Sequence, residues 1–233
     1  MYKIAISPSQ QMDNRYTGVN TTEGVEMEKL GKLCHDYHIS KGGESLLFDH
    51  KGIDWKKRPQ ASKDFGASVY LVLHTNAGGG KGTVTLHAKN SPNSKKVSEI
   101  INKNLTAFFD KNGFPNTRYS PVIETNFLEA RESARLRMAH SYVEVNFHDN
   151  AEIAKFMVKN WEPISKIIID SVWEFRGWKP VKKPNENKEL DIAQKWAVEN
   201  GIMQDMLWEG SATRHQMAWW LFDFYKKFIE GRK

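Results

Sequence analysis

The run at residues 69–77, VYLVLHTNA, constrains the fold more than any other part of this sequence. Its first five residues are apolar and mostly β-branched or aromatic, and three glycines follow it, which is typical of a strand buried on both faces. His74 and Asn76 lie where this strand ends. Ligands of α/β sheets collect at the carboxyl ends of the strands. His74 could therefore be a metal ligand, a general base or a hydrogen-bonded residue at the end of a strand.

Strand-like and helix-like segments alternate along residues 1–176. Apolar or alternating runs predict further strands at 2–7, 45–48, 82–87 and 142–147. Apolar residues at helical spacing predict helices at 21–38, 58–65, 97–109, 127–138 and 153–175. Strands separated by helices predict an α/β fold, with a mixed, largely parallel sheet flanked by helices.

The composition changes after residue 176. Residues 177–188 are rich in proline, lysine and asparagine and predict a linker. Residues 189–233 contain two amphipathic segments, which predict a small C-terminal helical module. That module is too short to be an enzyme, so we expect it to bind a partner or to pack against another part of the protein.

Charge and cysteine content limit the classes of partner and of metal site. A net charge of +6 suits an anionic partner, but the basic residues are spread along the chain and no nucleic-acid-binding module is recognisable. We expect no nucleic-acid partner. No apolar run approaches the roughly 20 residues that span a bilayer, so we expect no membrane insertion. Cys34 is the only cysteine, which excludes an internal disulfide and Cys-rich zinc modules. The N-terminal residues lead directly into a strand pattern, which predicts that there is no signal peptide.

Glu144 is the second informative residue. It lies among apolar residues of the predicted strand 142–147, where a carboxylate is costly to bury without a partner. Such a carboxylate is commonly neutralised by a cation or kept at a raised pKa for proton transfer. Alternatively, strand alternation could put it on an exposed face together with Tyr142 and Asn146. Taken with His74 and the acids of the first helix, Glu144 favours a metallohydrolase, in which a glutamate takes the proton of an attacking water.

Four pieces of the sequence stand in an order that carries a family resemblance. They are a first strand that ends in a proline loop, Glu23 at the start of a helix, LHTNA at 73–77 and EVNFHDN at 144–150. Residues 1–175 thereby resemble the zinc-dependent N-acetylmuramoyl-L-alanine amidases of the amidase type 3 family. The resemblance implies a catalytic domain at 1–176 that hydrolyses the amide between N-acetylmuramic acid and L-alanine in peptidoglycan. It implies that Glu23 and His74 bind zinc (Zn2+) and that Glu144 is the general base.

The first loop departs from the usual pattern of that family. In place of an Asp-Pro-Gly-His-Gly-Gly loop, residues 7–11 read SPSQQ and match a branch with a Ser-Pro-Ser-x-Gln-x-x-Asn loop through Gln11 and Asn14. Gln11 is then the predicted third metal ligand, although an amide oxygen binds zinc less strongly than imidazole. The alternatives are Gln10, His148 and water. Glu26, one helical turn after Glu23, is the alternative to Glu23.

Three residues are candidates for substrate binding: Asn76, Arg131 and Asn146. Arg131 and Arg135 are four residues apart on a predicted helix and could clamp a carboxylate of the peptide stem. The alternative is that both arginines belong to a solvated helix face.

The C-terminal segments at 194–203 and 213–218 resemble a single surface-layer-homology motif. Such motifs bind cell-wall polymers, usually in sets of three, so the resemblance implies a wall-binding or oligomerising module and a possible homo-oligomer. The expected partners are peptidoglycan and an anionic cell-wall polymer. The expected setting is a phage endolysin or prophage autolysin that is made in the host cytoplasm and acts on the wall after release. A non-catalytic peptidoglycan-binding protein on a degenerate amidase scaffold is the alternative.

Overall fold

The computed structural model describes residues 2–117 and 121–179. In this part the predicted α/β class is confirmed: a six-stranded sheet is flanked by helices. The strands are β1 (Lys3–Pro8), β2 (Glu44–Leu47), β3 (Val69–Asn76), β4 (Val84–Ala88), β5 (Val122–Thr125) and β6 (Ala139–Phe147). The helices are α1 (Glu23–Ser40), α2 (Arg58–Phe65), α3 (Pro92–Lys111), α4 (Leu128–Arg135), α5 (Ala151–Lys159) and α6 (Trp161–Arg176). The predicted module at 189–233, and the predicted linker from residue 180 onward, lie outside the described residues.

The sheet is mixed and largely parallel, with the strand order β2-β1-β3-β6-β4-β5. β1 pairs in parallel with β2 and β3, β3 pairs in parallel with β6, and β4 pairs in parallel with β5. β4 and β6 pair antiparallel. Because β1, β3 and β6 are neighbours and run the same way, their carboxyl ends meet at one edge of the sheet.

Two apolar layers enclose the sheet. On one face, alternate residues such as Leu71, Leu73 and Val143 pack against α1, α3, α5 and α6. On the other face, Tyr70 and Val72 pack against a smaller layer that includes residues of α2. The side chains of residues 69–73 are at most 1% exposed, which confirms a strand buried on both faces.

Two details of the secondary structure differ from the sequence predictions. The predicted single helix at 153–175 is two helices that meet at Asn160. Pro163 explains the break, since its ring would clash with the carbonyl of Lys159 in a continuous helix. The sequence analysis also missed β5, a four-residue strand that pairs only with β4 at the edge of the sheet. No helix in the described part of the chain has the length and apolarity needed to cross a membrane.

His140 is fully buried within β6, near the ring of Tyr70. Its two ring nitrogens have no hydrogen-bond partner among the described residues. Burial, with a smaller contribution from the charge of His87, lowers the pKa of His140 to about 3. The native fold therefore keeps this imidazole neutral under conditions where the unfolded chain protonates it.

We expect replacement of His140 by leucine to make the fold more resistant to acid. Below about pH 6.5 the unfolded chain binds a proton at His140 that the folded protein excludes until about pH 3, so acid favours unfolding of the wild type. Between about pH 6.5 and about pH 4, the unfolding free energy of the wild type should fall by about 3 kcal/mol relative to that of the variant. Urea denaturation at several pH values measures this difference. If the unfolding free energies of the wild type and of the variant changed with pH in the same way, the buried, neutral state of His140 would be contradicted.

Candidate active site

The candidate site lies at the carboxyl ends of β1, β3 and β6. Parallel pairing of β3 and β6 puts His74 directly opposite Glu144. The loop after β1 passes beside this pair and leads into α1, whose first residue is Glu23. Elements far apart in the sequence therefore bring the predicted ligands and the predicted base to one edge of the sheet.

Glu23 and His74 form the centre of the site. The Oε1 atom of Glu23 lies 2.7 Å from the Nδ1 atom of His74, and the side chain of Glu23 is 1% exposed. Asn14 donates a hydrogen bond of 2.6 Å to Oε2. Burial disfavours the charged form, but hydrogen bonding and charge from His74, with hydrogen bonds from Ser9 and Asn14, hold the pKa of Glu23 below its usual value. The carboxylate is thus kept ionised and aimed at the imidazole.

Gln11 is the third predicted ligand, and its amide lies beside this pair. The Nε2 atom of Gln11 is 3.4 Å from Nδ1 of His74, and Asn14 donates to Oε1 of Gln11 at 3.3 Å. A half-turn of the amide would exchange its oxygen and nitrogen and bring the oxygen toward His74. Gln10 is directed elsewhere, because its amide donates to the backbone oxygen of His50.

His148 contacts Thr75 and Asn14, which are neighbours of the predicted ligands. Its Nδ1 atom is 2.9 Å from the hydroxyl oxygen of Thr75, and its Nε2 atom is 3.1 Å from Oδ1 of Asn14. The ring stacks on Tyr16, with the ring centroids 5.0 Å apart. Both nitrogens are therefore engaged, and the imidazole orients Asn14, which in turn contacts Gln11 and Glu23. Of Gln10, Gln11 and His148, only Gln11 has a side-chain contact with His74 among the described residues.

Glu26, the alternative to Glu23, is hydrogen-bonded to three side chains that are not among the predicted metal ligands. Its carboxylate accepts hydrogen bonds from Thr21 Oγ1 at 2.6 Å, Lys29 Nζ at 2.7 Å and Trp161 Nε1 at 2.6 Å. These three donors satisfy a side chain that is 1% exposed. Glu26 therefore fixes α1 against α6, whereas Glu23, at the start of the same helix, reaches the site.

Glu144 shares the electrostatic environment of the two predicted ligands. The ring of Tyr142, two residues before Glu144 on the same strand face, stacks on His74 with the centroids 4.5 Å apart. Burial, and then the negative charges of Glu144 and Glu23, raise the pKa of the Tyr142 hydroxyl. Glu144 thus lies opposite His74 in the strand register and contributes to the negative charge around this part of the site.

The predicted substrate-binding asparagines are engaged within the protein. Oδ1 of Asn76 accepts from the backbone nitrogen of Ala77 at 2.9 Å. Asn146 is fully buried, and its Oδ1 accepts from the backbone nitrogens of Gly82 and Phe147, each at 2.8 Å. The cause is a bulge: two residue steps along β3, from His74 to Asn76, match three along β6, from Glu144 to Phe147. Strand alternation is interrupted there, so Asn146 fixes a loop.

The predicted carboxylate clamp lies on α4. Nε of Arg135 donates to Glu132 at 2.7 Å, and Nε of Arg131 lies 3.7 Å from the same carboxylate. Both arginine side chains are more than half exposed. In the described part of the chain, these two guanidinium groups therefore share one carboxylate at the protein surface.

Comparison with known proteins gives matches at the level of structure. No family model and no curated protein sequence matches the chain. An N-acetylmuramoyl-L-alanine amidase from Clostridium difficile 630 superposes with a TM-score of 0.66 at 17% identity, covering 76% of this chain and 97% of that one. AmiC2 of Nostoc punctiforme gives 0.64 at 12% identity, covering 76% and 97%. The catalytic domain of CwlV from Bacillus (Paenibacillus) polymyxa var. colistinus gives 0.60 at 18% identity, covering 77% and 100%. The fold is that of N-acetylmuramoyl-L-alanine amidases.

Within this amidase fold, the donor atoms beside His74 fit a zinc ion in chemical type. Imidazole and carboxylate are common zinc ligands, and the lowered pKa of Glu23 supplies the deprotonated form that a metal requires. The amide of Gln11 adds a weaker oxygen donor. Across residues 2–117 and 121–179, no group of three His, Cys, Asp or Glu side chains is arranged to hold a metal. The candidate site therefore depends on two strong ligands and one amide.

A cleft of about 500 Å³ opens beside His74 on the face of the smaller apolar layer. It is lined by Ser7, Pro8, Ser9, Gln10, Gln11, Trp55, Arg58, Val72, His74, Phe127, Leu128, Glu129 and Tyr142. The sequence analysis missed Glu129 and Arg58 as cleft residues. Both lie in short polar helices whose sequence does not indicate which side chains turn toward the sheet. The cleft gives a substrate direct access to His74.

Proposed function

We propose that this chain is a zinc-dependent N-acetylmuramoyl-L-alanine amidase that hydrolyses the amide between N-acetylmuramic acid and L-alanine in peptidoglycan. The observation that carries the proposal is the strand register that puts Glu144 opposite His74, together with the 2.7 Å contact between His74 and Glu23, at the edge of an amidase fold. The adjoining cleft is large enough for part of a glycopeptide.

The residues of the site have separate roles in this proposal. His74, Glu23 and Gln11 would hold the zinc ion, which supplies Lewis-acid polarisation of the scissile carbonyl and a lowered pKa for water. Glu144 accepts a proton from the attacking water and returns it to the nitrogen of the leaving L-alanine. Asn14 and His148 keep Gln11 and Glu23 in position through their hydrogen bonds.

Release of new N-terminal L-alanine from purified peptidoglycan, with and without a chelator, tests this proposal. We expect release that a chelator stops and that added zinc restores. If alanine release were unaffected by the chelator, the proposed dependence on a metal would be wrong. If no alanine were released under any condition, the proposed amidase activity would be wrong. The non-catalytic alternative is not favoured, because a protein that only binds needs no carboxylate beside the imidazole.

Replacing Gln11 by histidine is expected to tighten zinc binding. Imidazole is a stronger zinc ligand than an amide, and the amide of Gln11 already lies 3.4 Å from Nδ1 of His74. We expect zinc affinity to rise about tenfold or more, since changes even outside the ligand set alter metal affinity by about 10–100-fold. Competition with a chromophoric chelator measures the affinity. Gln10→His is the matched control, because the side chain of Gln10 points to His50. Equal affinities for the two variants would exclude Gln11 from the metal site.

The cellular setting and the C-terminal module stay predictions. Peptidoglycan as a partner follows from the proposed activity. An endolysin or autolysin role, wall-polymer binding by residues 189–233 and a homo-oligomer are the expectations from the sequence.

A further inference from the structure

Glu129 lines the cleft and is held in one orientation by hydrogen bonds. Its Oε1 atom accepts hydrogen bonds from the Tyr70 hydroxyl and, at 3.3 Å, from the hydroxyl of Ser7. The guanidinium of Arg58 donates to the same Ser7 oxygen at 2.8 Å and to the backbone oxygens of Pro8 and Asp49. This network fixes one carboxylate oxygen and leaves the other to face a different direction.

The second oxygen of Glu129 is available to a ligand. Among the described residues, the hydrogen bonds from Tyr70 and Ser7 both go to Oε1, and Glu129 is the only Asp or Glu among the side chains that line the cleft. Arg58 is 1% exposed and donates to protein oxygens. Burial raises the pKa of Glu129 despite its hydrogen bond from Tyr70 and the charges of His74 and Arg58. A cationic group at Oε2 would therefore favour the charged form of this carboxylate, which burial disfavours.

The apolar side chains that line the cleft determine which kind of ligand group can contact Oε2 of Glu129. Trp55 and Phe127, which are 41% and 56% exposed, present apolar rings among the lining side chains. A ligand that packs on such rings removes water from the polar groups that line the same cleft. Removing water from a carboxylate oxygen is costly unless the ligand supplies a hydrogen-bond donor, and a cationic donor offsets the cost best. A carboxylate of the ligand at the same place would be repelled.

We propose that the cleft recognises the side-chain ammonium group of the diamino acid in the peptide stem, with Oε2 of Glu129 as its acceptor. This inference rests on the proposed amidase function and names the part of the substrate that the cleft selects. Glu129 is a specificity residue in this proposal, since it contacts a group remote from the scissile amide.

The test compares two N-acetylmuramoyl tripeptides, one with a free lysine side chain at the third position and one with that amine acetylated. For the wild type we expect kcat/KM to be about tenfold higher with the free amine, carried mainly by KM, as for a hydrogen bond to a charged group. In Glu129→Gln the ratio should fall to near one, because the amide still accepts from Tyr70 but carries no charge. Glu124→Gln, which removes an exposed carboxylate of β5 outside the cleft lining, should keep the wild-type ratio.

Several outcomes would overturn the inference. Equal kcat/KM for the two substrates in the wild type would do so without any variant, so the test does not depend on the folding of Glu129→Gln. An undiminished preference in Glu129→Gln would also overturn it. Calorimetric Kd values for both tripeptides separate the inference from the amidase proposal. If the Kd depended on the free amine but no alanine were released, only the proposed amidase activity would be contradicted. If alanine were released without a preference for the free amine, only the proposed role of Glu129 would be contradicted.

Discussion

Replacing Glu144 by glutamine is expected to lower kcat by about 10²–10⁴-fold, the usual contribution of a positioned general base. Glutamine keeps the size of the side chain but cannot take a proton from water. Since the proposed metal ligands are His74, Glu23 and Gln11, and glutamine keeps the size of the Glu144 side chain opposite His74, zinc content should stay at the wild-type level. Rates of alanine release and elemental analysis of the purified variant measure both quantities.

Glu124→Gln is the control for this prediction. Glu124 is an exposed residue of β5, the edge strand that β4 separates from β6. Its replacement should leave both kcat and zinc content unchanged. Near-wild-type turnover in Glu144→Gln would show that another group takes the proton. Loss of zinc in that variant would instead make Glu144 a ligand.

Replacing His74 by alanine is expected to remove zinc and activity together. The change deletes the imidazole and also the partner that keeps Glu23 ionised and oriented. Mutation of residues that merely support a metal ligand costs about 10–100-fold in affinity, so loss of a ligand should weaken zinc binding by more than about 100-fold. Zinc should raise the melting temperature of the wild type by mass action and leave that of the variant unchanged.

His35→Ala serves as the comparison for that variant. His35 lies on α1 and is hydrogen-bonded to Ser45, a residue of β2 rather than of the site. We expect it to bind zinc and to respond to zinc in thermal melts like the wild type. If His74→Ala kept a wild-type zinc response, the metal site would have to be located elsewhere in the protein.

The central strand and the pair at its end were predictable from the sequence. A continuous apolar run, VYLVL, has few alternatives to a strand buried on both faces, and its end fixes the position of His74. The resemblance to amidases then predicted that Glu23 would accompany His74, which agrees with the 2.7 Å contact between them. The apolar run and the motif at its end therefore predicted the buried strand and the neighbouring positions of Glu23 and His74.

Features that depend on distant packing were not predictable. Glu23 and Glu26 both lie in the first turn of α1, and their tertiary contacts separate them: Glu23 reaches His74, whereas Glu26 accepts from Trp161 of α6. The inward turn of Asn146 depends on a bulge between β3 and β6, which alternation cannot reveal. Glu129 belongs to the cleft because Tyr70 and Ser7 reach it from two strands. In each case the decisive contact joins residues far apart in the chain.

The position of β6 between β3 and β4 governs the order in which the site can assemble. Without β6, the strands β2, β1 and β3 form one group and β4 and β5 form another, and β6 is the strand that joins the two groups. Glu23 and His74 belong to the first group and its helix α1, whereas Glu144 arrives only when β6 has entered the gap. Closing such long chain loops is the slow part of building a sheet. We therefore expect hydrolytic competence to be among the last properties gained on folding.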